Sequence, residues 1–254
     1  MLERSTTTPS RGTGVRVIVP MAGAGSRFSK AGYDKPKPLI DVNGAPMIQR
    51  VVESVGLQEY PHIFIVQRQH LRDHPDLEEL LASLAGDVSI IQIDGLTAGA
   101  AETCLSCEHL INNEEPILTV NSDQIMEWDS ADFVSHVSEE MDGCILTFRS
   151  QEPHYSYAAV DGDGLVTRTA EKEVISEWAT VGLYYWKRGS DFISAATSMI
   201  DKDIRFKNEY YVCPVYNENI GWGQKITTYS KGNFYLIGTP AELDNYLEII
   251  NGRS

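Results

Sequence analysis

The alternation of short apolar runs with amphipathic segments constrains the fold more than any other feature of this chain. Four runs are brief and rich in β-branched residues, as buried strands are: residues 15–20, 62–67, 88–93 and 117–121. Between them, residues 47–55 and 77–84 repeat apolar side chains at helical spacing. This order predicts an α/β fold with a mostly parallel sheet and helices on both faces. In such folds ligands bind at the carboxyl ends of the strands.

The pattern changes after about residue 143. Four further segments have the composition of strands joined by tight turns: residues 144–148, 157–160, 165–169 and 180–187. The run Asp161-Gly162-Asp163-Gly164 is typical of a hairpin, so these strands predict a small antiparallel extension that makes the sheet mixed. Helices are expected at residues 190–200 and 210–220. A last helix begins at Thr239, which forms a capping-box pattern with Glu242.

The organisation of the chain predicts one domain over residues 15–254, because no linker or internal repeat interrupts it. Residues 1–14 lack the apolar run of a secretory signal, and we interpret them as a flexible N-terminal tail.

The composition argues against several classes of function. The 254 residues include 21 Lys and Arg against 36 Asp and Glu, a net charge of −15, whereas nucleic acids and anionic membranes attract basic surfaces. No run approaches the ~20 apolar residues that a membrane helix needs. Cys104, Cys107, Cys144 and Cys213 are too few for a disulfide framework, and Cys104-x-x-Cys107 lacks the second pair of a zinc site. We therefore expect buried, reduced thiols in a cytoplasmic protein with no nucleic-acid or membrane partner.

The first predicted strand runs into a glycine-rich loop that carries most of the chemical information. Gly23-x-Gly25, followed by Ser26 and Arg27, lets backbone amides approach a phosphate chain. Residues 27–37 contain four basic residues against one acid, and this local excess in an acidic chain predicts a polyanionic ligand. The dinucleotide fingerprint fails because Phe28 takes the third glycine position, and the Gly-Lys-Ser/Thr of a P-loop is absent.

Together with a second motif, this loop resembles a known family. Gly23-Ala24-Gly25-Ser26-Arg27, followed by Pro36-Lys37-Pro38-Leu39, is similar to the signature of the sugar-phosphate nucleotidyltransferases, also called NTP-transferases or nucleoside-diphosphate-sugar pyrophosphorylases. The resemblance implies a single Rossmann-like (GT-A-like) domain that joins an NTP to a sugar-1-phosphate, uses Mg²⁺ and releases pyrophosphate. The implied partners are therefore an NTP and a phosphorylated small-molecule acceptor, and a homo-oligomer is left open.

Further segments extend the resemblance over nearly the whole chain. Residues 97–103 resemble the family's base-contacting loop, Asn121-Ser122-Asp123 its metal position, Glu171-Lys172 and residues 179–184 its sugar-phosphate segment, and residues 208–211 and 238–240 its C-terminal half. The implied catalytic residues are Arg27, Lys37 and Asp123, and Asp123 is also the implied metal ligand. The implied nucleotide-binding residues are Ala22, Gly23, Gly25, Ser26 and Gly99, and the implied acceptor-binding residues are Glu171, Lys172 and Gly182.

Some of these positions also have a purely structural interpretation. Gly99 is consistent with the start of a helix, and Glu171-Lys172 with a solvated charge pair on a hairpin. The aromatic residues 184–186 alternate along a predicted strand, which favours core and wall positions.

The chain departs from the family at two positions. Leu236 stands where many members carry a second metal-binding aspartate. Either Asp123 binds the ion together with the NTP phosphates and water, or another oxygen ligand such as Asn233 or Glu218 replaces the aspartate. Gly95 stands where a glutamine often precedes the base loop, so the nucleobase is open. The alternative functions are a cytidylyltransferase acting on a non-sugar phosphate such as phosphocholine or a phosphonate, a non-catalytic nucleotide-sugar-binding regulatory module, and a GT-A glycosyltransferase, which would not need the Gly-Ser-Arg loop.

Overall fold

The computed structural model describes residues 14–137 and 140–252. The predicted tail at residues 1–14 therefore lies outside the described residues, apart from Gly14. Val15, the first residue of the predicted domain, is buried in the core. Among the described residues, no helix is long and apolar enough to cross a membrane.

The described residues form thirteen strands and ten α-helices. The strands are β1 (Arg16–Pro20), β2 (Asp41–Val42), β3 (Ala45–Pro46), β4 (His62–Gln67), β5 (Val88–Ile93), β6 (Ile117–Val120), β7 (Gln124–Glu127), β8 (Gly143–Arg149), β9 (Ser156–Val160), β10 (Val166–Glu171), β11 (Trp178–Trp186), β12 (Ile226–Tyr229) and β13 (Asn233–Leu236). The helices are α1 (Ser26–Lys30), α2 (Met47–Val55), α3 (Arg68–Asp73), α4 (Asp76–Ser83), α5 (Ala100–Leu105), α6 (Glu108–Ile111), α7 (Ser130–His136), α8 (Gly189–Asp201), α9 (Tyr216–Gly221) and α10 (Pro240–Asn251).

Nine strands form one mixed sheet, in the order β10-β9-β11-β6-β1-β4-β5, with β8 paired to both β11 and β12. In one half, β1 lies parallel to β4 and β6, and β4 lies parallel to β5. In the other half, β11 runs antiparallel to β6, β8 and β9, and β10 runs antiparallel to β9. The prediction of a parallel sheet with an antiparallel extension is confirmed. A separate ribbon pairs β7 with β13.

The core lies on both faces of the sheet. In β1, Val17 and Val19 belong to one apolar cluster, which includes Val51 of α2. Ile18, between them, belongs to a second cluster, which includes Phe192 of α8. Successive side chains of a strand point to opposite faces, so a strand that is apolar throughout must be covered on both sides. The predicted helices on both faces follow from this pattern.

The predicted hairpin turn and the predicted helix cap both form, although among the described residues the Glu242 side chain does not accept the second hydrogen bond of a capping box from the Thr239 amide. The Asp161 carboxylate accepts hydrogen bonds from the amides of Asp163 and Leu165, at 2.9 and 3.0 Å, and closes the hairpin between β9 and β10. The Thr239 hydroxyl accepts a hydrogen bond from the amide of Glu242 at 3.2 Å and caps α10. Each bond joins residues only two to four positions apart, so the local sequence is sufficient to specify it.

The prediction of a helix over residues 210–220 is wrong for the first half of that range. A short 3₁₀ turn spans Cys213–Val215, and α9 begins only at Tyr216. Pro214 has no amide hydrogen for a helical bond and disfavours helical backbone at the residue before it. The carbonyl of Tyr210 instead accepts a hydrogen bond from the amide of Ala101 at 3.0 Å.

Cys104 and Cys107 are both buried in the core, as predicted, although they do not share one helix. Cys104 lies in α5, which ends at Leu105, and Cys107 immediately precedes α6. Burial raises the pKa of the Cys107 thiol to about 12. A thiol held in its neutral form is a poor metal ligand and nucleophile, so these two side chains act as packing groups.

Candidate functional site

Two adjoining pockets lie at the carboxyl ends of β1 and β6. The first, which we call the loop pocket, has a volume of about 440 Å³. It is lined by the glycine-rich loop after β1 and includes Ala22, Gly23, Gly25, Ser26, Arg27, Lys37, Gly99 and Asp123. The second, which we call the sheet pocket, has a volume of about 470 Å³. It is lined by the start of β9, the end of β10 and the middle of β11, and includes Arg27, Asp123, Glu171, Lys172 and Gly182.

Every residue that the resemblance implies as catalytic, nucleotide-binding or acceptor-binding therefore lines at least one of these pockets. The two pockets share Arg27 and Asp123, together with Ala100, Asn121, Tyr211 and Gly238. The roles of the nominated residues stay predictions, but the fold brings them to one place.

The closest charge contact of the site joins Lys37 to Asp123. The Lys37 ammonium donates to a carboxylate oxygen of Asp123 at 2.5 Å, and both side chains are about a quarter exposed or less, at 20% and 26%. Pro38 and Leu39, the next residues of the 3₁₀ turn at Lys37–Leu39, are buried and anchor the lysine. Asp123 lies between β6 and β7. This contact places an ammonium group and a carboxylate at the border of the two pockets.

Glu171 is not a solvated residue. Its side chain, at the end of β10, is only 5% exposed and accepts a hydrogen bond from the Ser156 hydroxyl. The Lys172 ammonium lies 3.6 Å from its other carboxylate oxygen. Burial raises the pKa of the Glu171 carboxyl group above its ordinary value. The interpretation of Glu171-Lys172 as a surface charge pair is therefore wrong.

Lys172 is held by its backbone and by two aromatic rings. Its φ angle is +54°, a left-handed conformation that costs a residue other than glycine about 1–2 kcal/mol. Its amide donates to the carbonyl of Tyr155 at 3.0 Å, and its ammonium donates to the Tyr211 hydroxyl at 2.8 Å. The ammonium also lies 4.5 Å from the ring centre of Tyr211 and 5.4 Å from that of Phe206. These contacts fix the ammonium at the wall of the sheet pocket.

Gly182 and Gly99 allow close approaches that a side chain would block. Gly182 has a φ of +97° and lies where the register between β8 and β11 shifts. A Cβ atom there would overlap the Asn121 amide and lie 2.5 Å from the Gln124 amide oxygen. Gly99 has a φ of +142°, and a Cβ atom on it would overlap the backbone of Tyr210. Gly99 also precedes α5, so its role as a helix start and its place in the loop pocket are compatible.

The structure adds Tyr155, Ser156 and Glu242 to the sheet pocket, and the resemblance assigns none of them to the site. The same pocket is lined by Thr180, Tyr184, Tyr211 and Thr239, which lie in segments that resemble the family. Tyr184 is buried, as predicted, and its hydroxyl lies 2.9 Å from that of Thr180. These residues come from different strands and from α10, so no spacing in the sequence could have grouped them.

Neither predicted substitute for the second metal ligand lies in the pockets. Glu218 binds the Lys202 ammonium at 2.5 Å and accepts from the Ser198 hydroxyl at 2.6 Å, both on or beside α8. Asn233 is exposed and pairs with Glu127, at the end of the β7–β13 ribbon far from Asp123. The expectation that one of them replaces the aspartate is therefore wrong. The described residues contain no group of three or more His, Cys, Asp or Glu side chains that could hold a metal ion.

The comparisons with known proteins agree with the geometry. The sequence model of the family described as nucleotidyl transferase matches residues 16–214. Mannose-1-phosphate guanyltransferase beta-B of Xenopus laevis is 25% identical over 198 residues, which cover 75% of this chain and 55% of that protein. The chain thus spans about half the length of such a relative.

Solved structures extend the similarity over the whole fold. A nucleoside-diphosphate-sugar pyrophosphorylase from Vibrio cholerae RC9 superposes with a TM-score of 0.80 and 26% identity, covering 91% of this chain and 99% of that one. The inositol-1-phosphate CTP transferase of T. maritima superposes with a TM-score of 0.73 over 94% of this chain and 96% of that one. At 16% identity, the second comparison shows a shared fold alone.

Proposed function

The chain belongs to the nucleotidyl transferase family, and we propose that it joins an NTP to a sugar-1-phosphate, giving an NDP-sugar and pyrophosphate. The observation that carries the proposal is the pair of pockets that meet at Arg27 and Asp123. One pocket has a glycine-rich loop suited to a phosphate chain, and the other has a lysine and a buried carboxylate suited to a phosphorylated polyol.

The proposed reaction is an in-line displacement at phosphorus. A phosphate oxygen of the acceptor forms a bond to the α-phosphorus of the NTP, and the bond from that phosphorus to the β-bridging oxygen breaks, so that pyrophosphate leaves with the electron pair. Two anions must be brought together, so the work of the protein is positioning and charge neutralisation. No covalent nucleophile on the protein is required.

The loop pocket would hold the NTP. Backbone amides from Gly23 to Ser26, with the Arg27 guanidinium, would bind the β- and γ-phosphates and stabilise the departing pyrophosphate. Lys37 would bind the α-phosphate and the incoming phosphate, since its ammonium lies at the border of the pockets. Charge that develops there in the transition state would be stabilised by a group already in position.

The sheet pocket would hold the acceptor. Lys172 would bind the acceptor phosphate, and the aromatic rings that contact its ammonium would keep it in place. Glu171 would accept hydrogen bonds from acceptor hydroxyl groups. Its buried carboxylate is oriented by Ser156, which leaves little conformational freedom to lose on binding.

The surroundings of Asp123 are better suited to a magnesium ion that binds together with the nucleotide than to an ion that is bound permanently. It offers one carboxylate at the border of the pockets, and Leu236 contributes only hydrocarbon to the same wall. Mg²⁺ in such sites usually takes one or two carboxylates, with water and substrate phosphates as its other ligands. When bound, the ion would supply charge neutralisation on the phosphates, and Asp123 would hold it.

One observation favours a second candidate, a cytidylyltransferase acting on phosphocholine or a related non-sugar phosphate. Three tyrosines, Tyr155, Tyr184 and Tyr211, line the sheet pocket beside Glu171. Aromatic faces with a carboxylate bind quaternary ammonium groups.

Pyrophosphate release with Mg²⁺, measured across the common NTPs and a panel of sugar-1-phosphates and phosphocholine, tests the function. Release that requires one NTP and one sugar-1-phosphate together supports the proposal, and release with phosphocholine alone supports the second candidate. A protein that binds an NTP by calorimetry but releases no pyrophosphate with any acceptor is a binding module. Absence of NTP binding would overturn the nucleotidyltransferase assignment.

A further inference from the structure

The start of α10 is fixed against Asp123. Gly238 packs so closely on this aspartate that a Cβ atom would lie 2.5 Å from a carboxylate oxygen. The amide of Ile237 donates to the Asp123 carbonyl at 2.9 Å, and Thr239 then caps the helix. The first turn of α10 is therefore held at the sheet pocket, and Glu242 in this turn lines the pocket. Glu242 lies beyond residues 16–214, the part that the family model matches.

In the described part of the chain, the carboxylate of Glu242 is unpaired. Its backbone amide is bonded to Thr239, but among the described residues no side chain forms a hydrogen bond or ion pair with its carboxylate. Tyr155 lies close by on the pocket wall: burial and then the Glu242 charge raise the pKa of the Tyr155 hydroxyl. In contrast, Glu171 is engaged by Ser156 and Lys172.

A half-buried carboxylate without a partner is unfavourable in a pocket that must accept a phosphate, because like charges repel and the carboxylate loses water. The cost is offset if a ligand donates a hydrogen bond to the carboxylate. In the proposed function the acceptor phosphate is already bound by the Lys172 ammonium, which lines this pocket. The group that meets Glu242 is therefore a donor on the part of the acceptor away from its phosphate.

The remaining wall favours a hydroxyl group as this donor. Three hydroxyl-bearing residues, Ser156, Thr180 and Tyr184, line the pocket together with Glu171, a second carboxylate. A polyol presents several hydroxyl groups that can donate to carboxylates and exchange hydrogen bonds with such a wall.

We propose that Glu242 determines specificity in the sheet pocket. Its carboxylate accepts a hydrogen bond from a hydroxyl group of the acceptor substrate that is distant from the substrate's phosphate. This inference rests on the proposed function and deepens it, because it assigns the acceptor to the polyol phosphates and names a recognition residue outside the matched part of the family.

The test replaces Glu242 by glutamine, which keeps the shape and removes the charge, and compares Glu248→Gln as the matched control. Glu248 lies on the same helix, is exposed and does not line either pocket. Glu242→Gln should raise the dissociation constant of the sugar-1-phosphate about 5- to 10-fold, because it replaces a hydrogen bond to a charged acceptor by one to a neutral acceptor. Calorimetry gives this constant without turnover. The control should stay within about twofold of the wild type.

Deoxy analogues of the best acceptor identify the hydroxyl group. Removing the hydroxyl group that donates to Glu242 should weaken binding to the wild type more than binding to Glu242→Gln, because glutamine keeps only a neutral hydrogen bond to that hydroxyl group. Removing any other hydroxyl group should weaken binding equally in both proteins.

The outcomes separate this inference from the proposed function. Equal affinity of the wild type and Glu242→Gln for every sugar-1-phosphate would overturn the inference, while pyrophosphate release would still support the function. If phosphocholine is the one acceptor that binds, and Glu242→Gln weakens that binding, then the group that contacts Glu242 is a quaternary ammonium group and not a hydroxyl donor. That outcome would overturn the polyol assignment. If no polyol phosphate binds at all, the inference fails, and NTP binding decides separately whether the nucleotidyltransferase assignment survives.

Discussion

The Lys37 ammonium lies 2.5 Å from a carboxylate oxygen of Asp123, although 86 positions separate the two residues in the chain. Lys37 follows the glycine-rich loop, and Asp123 follows β6, the strand that lies beside β1 in the sheet. The contact exists because parallel neighbouring strands end at the same edge of the sheet. It joins two motifs that each carry only part of the proposed chemistry.

Lys37→Ala should lower kcat by about two to four orders of magnitude, because it removes a cation placed where charge develops in the transition state. The fold should be retained, since the ammonium is at the pocket border and not in the core. Pyrophosphate release at saturating substrates is the measurement. Lys35→Ala, an exposed lysine two positions away that lines neither pocket, is the control. Near-normal turnover of Lys37→Ala would remove Lys37 from the mechanism.

Lys172→Gly and Lys172→Ala should differ in stability although both remove the same side-chain contacts. At a φ of +54°, glycine avoids the strain that alanine retains, so the glycine variant should be more stable by about 1 kcal/mol. Urea unfolding measures the difference. Both variants should lose affinity for the acceptor phosphate, and equal midpoints for the two would show that the backbone is not strained there.

Glu171→Gln should stabilise the protein at neutral pH and lose this advantage on acidification. Burial raises the pKa of Glu171 in the folded protein, so the folded state binds a proton more tightly than the unfolded state does. The ionisation of Glu171 therefore lowers stability as the pH rises from about 4.5, the pKa of the unfolded state, through the higher pKa of the folded state. Below this window both states are protonated and the effect is absent.

The measurement is the difference in unfolding free energy between Glu171→Gln and the wild type at several values between about pH 4 and pH 8. The difference should grow with pH. A difference that shrinks as the pH rises would mean that Lys172 and Ser156 stabilise the carboxylate more than burial destabilises it.

Gly182→Ala should destabilise the protein by about 2 kcal/mol or more, because the new methyl group overlaps Asn121 and the backbone has a φ of +97°. Gly162→Ala is the control, since a Cβ atom at Gly162 meets nothing within 4 Å. Thermal unfolding of both variants tests the prediction. If the two substitutions cost the same, the close packing of Gly182 on Asn121 is not part of the native state.

Much of the fold follows from signals that act over a few residues. The continuous apolar run of β1 requires cover on both faces, the Asp161 carboxylate closes its own turn, and Thr239 caps its own helix. Each depends on a backbone hydrogen bond or a side-chain period within one element, so the linear order of residues is enough to specify it. The same is true of the glycine-rich loop, whose glycines and basic residues are adjacent in the chain.

The composition of the sheet pocket depends on long-range packing. The sequence leaves a surface charge open as an alternative to the predicted binding role of Glu171, and the packing of Ser156 of β9 against its carboxylate decides for burial. The aromatic partners of Lys172, and Glu242 of α10, come from segments that no spacing connects with β10. Their positions depend on how strands and helices pack after the elements have formed. Local hydrogen bonds can therefore be inferred from neighbouring residues, whereas burial, charge pairing and the walls of a pocket arise only when distant segments exclude water together.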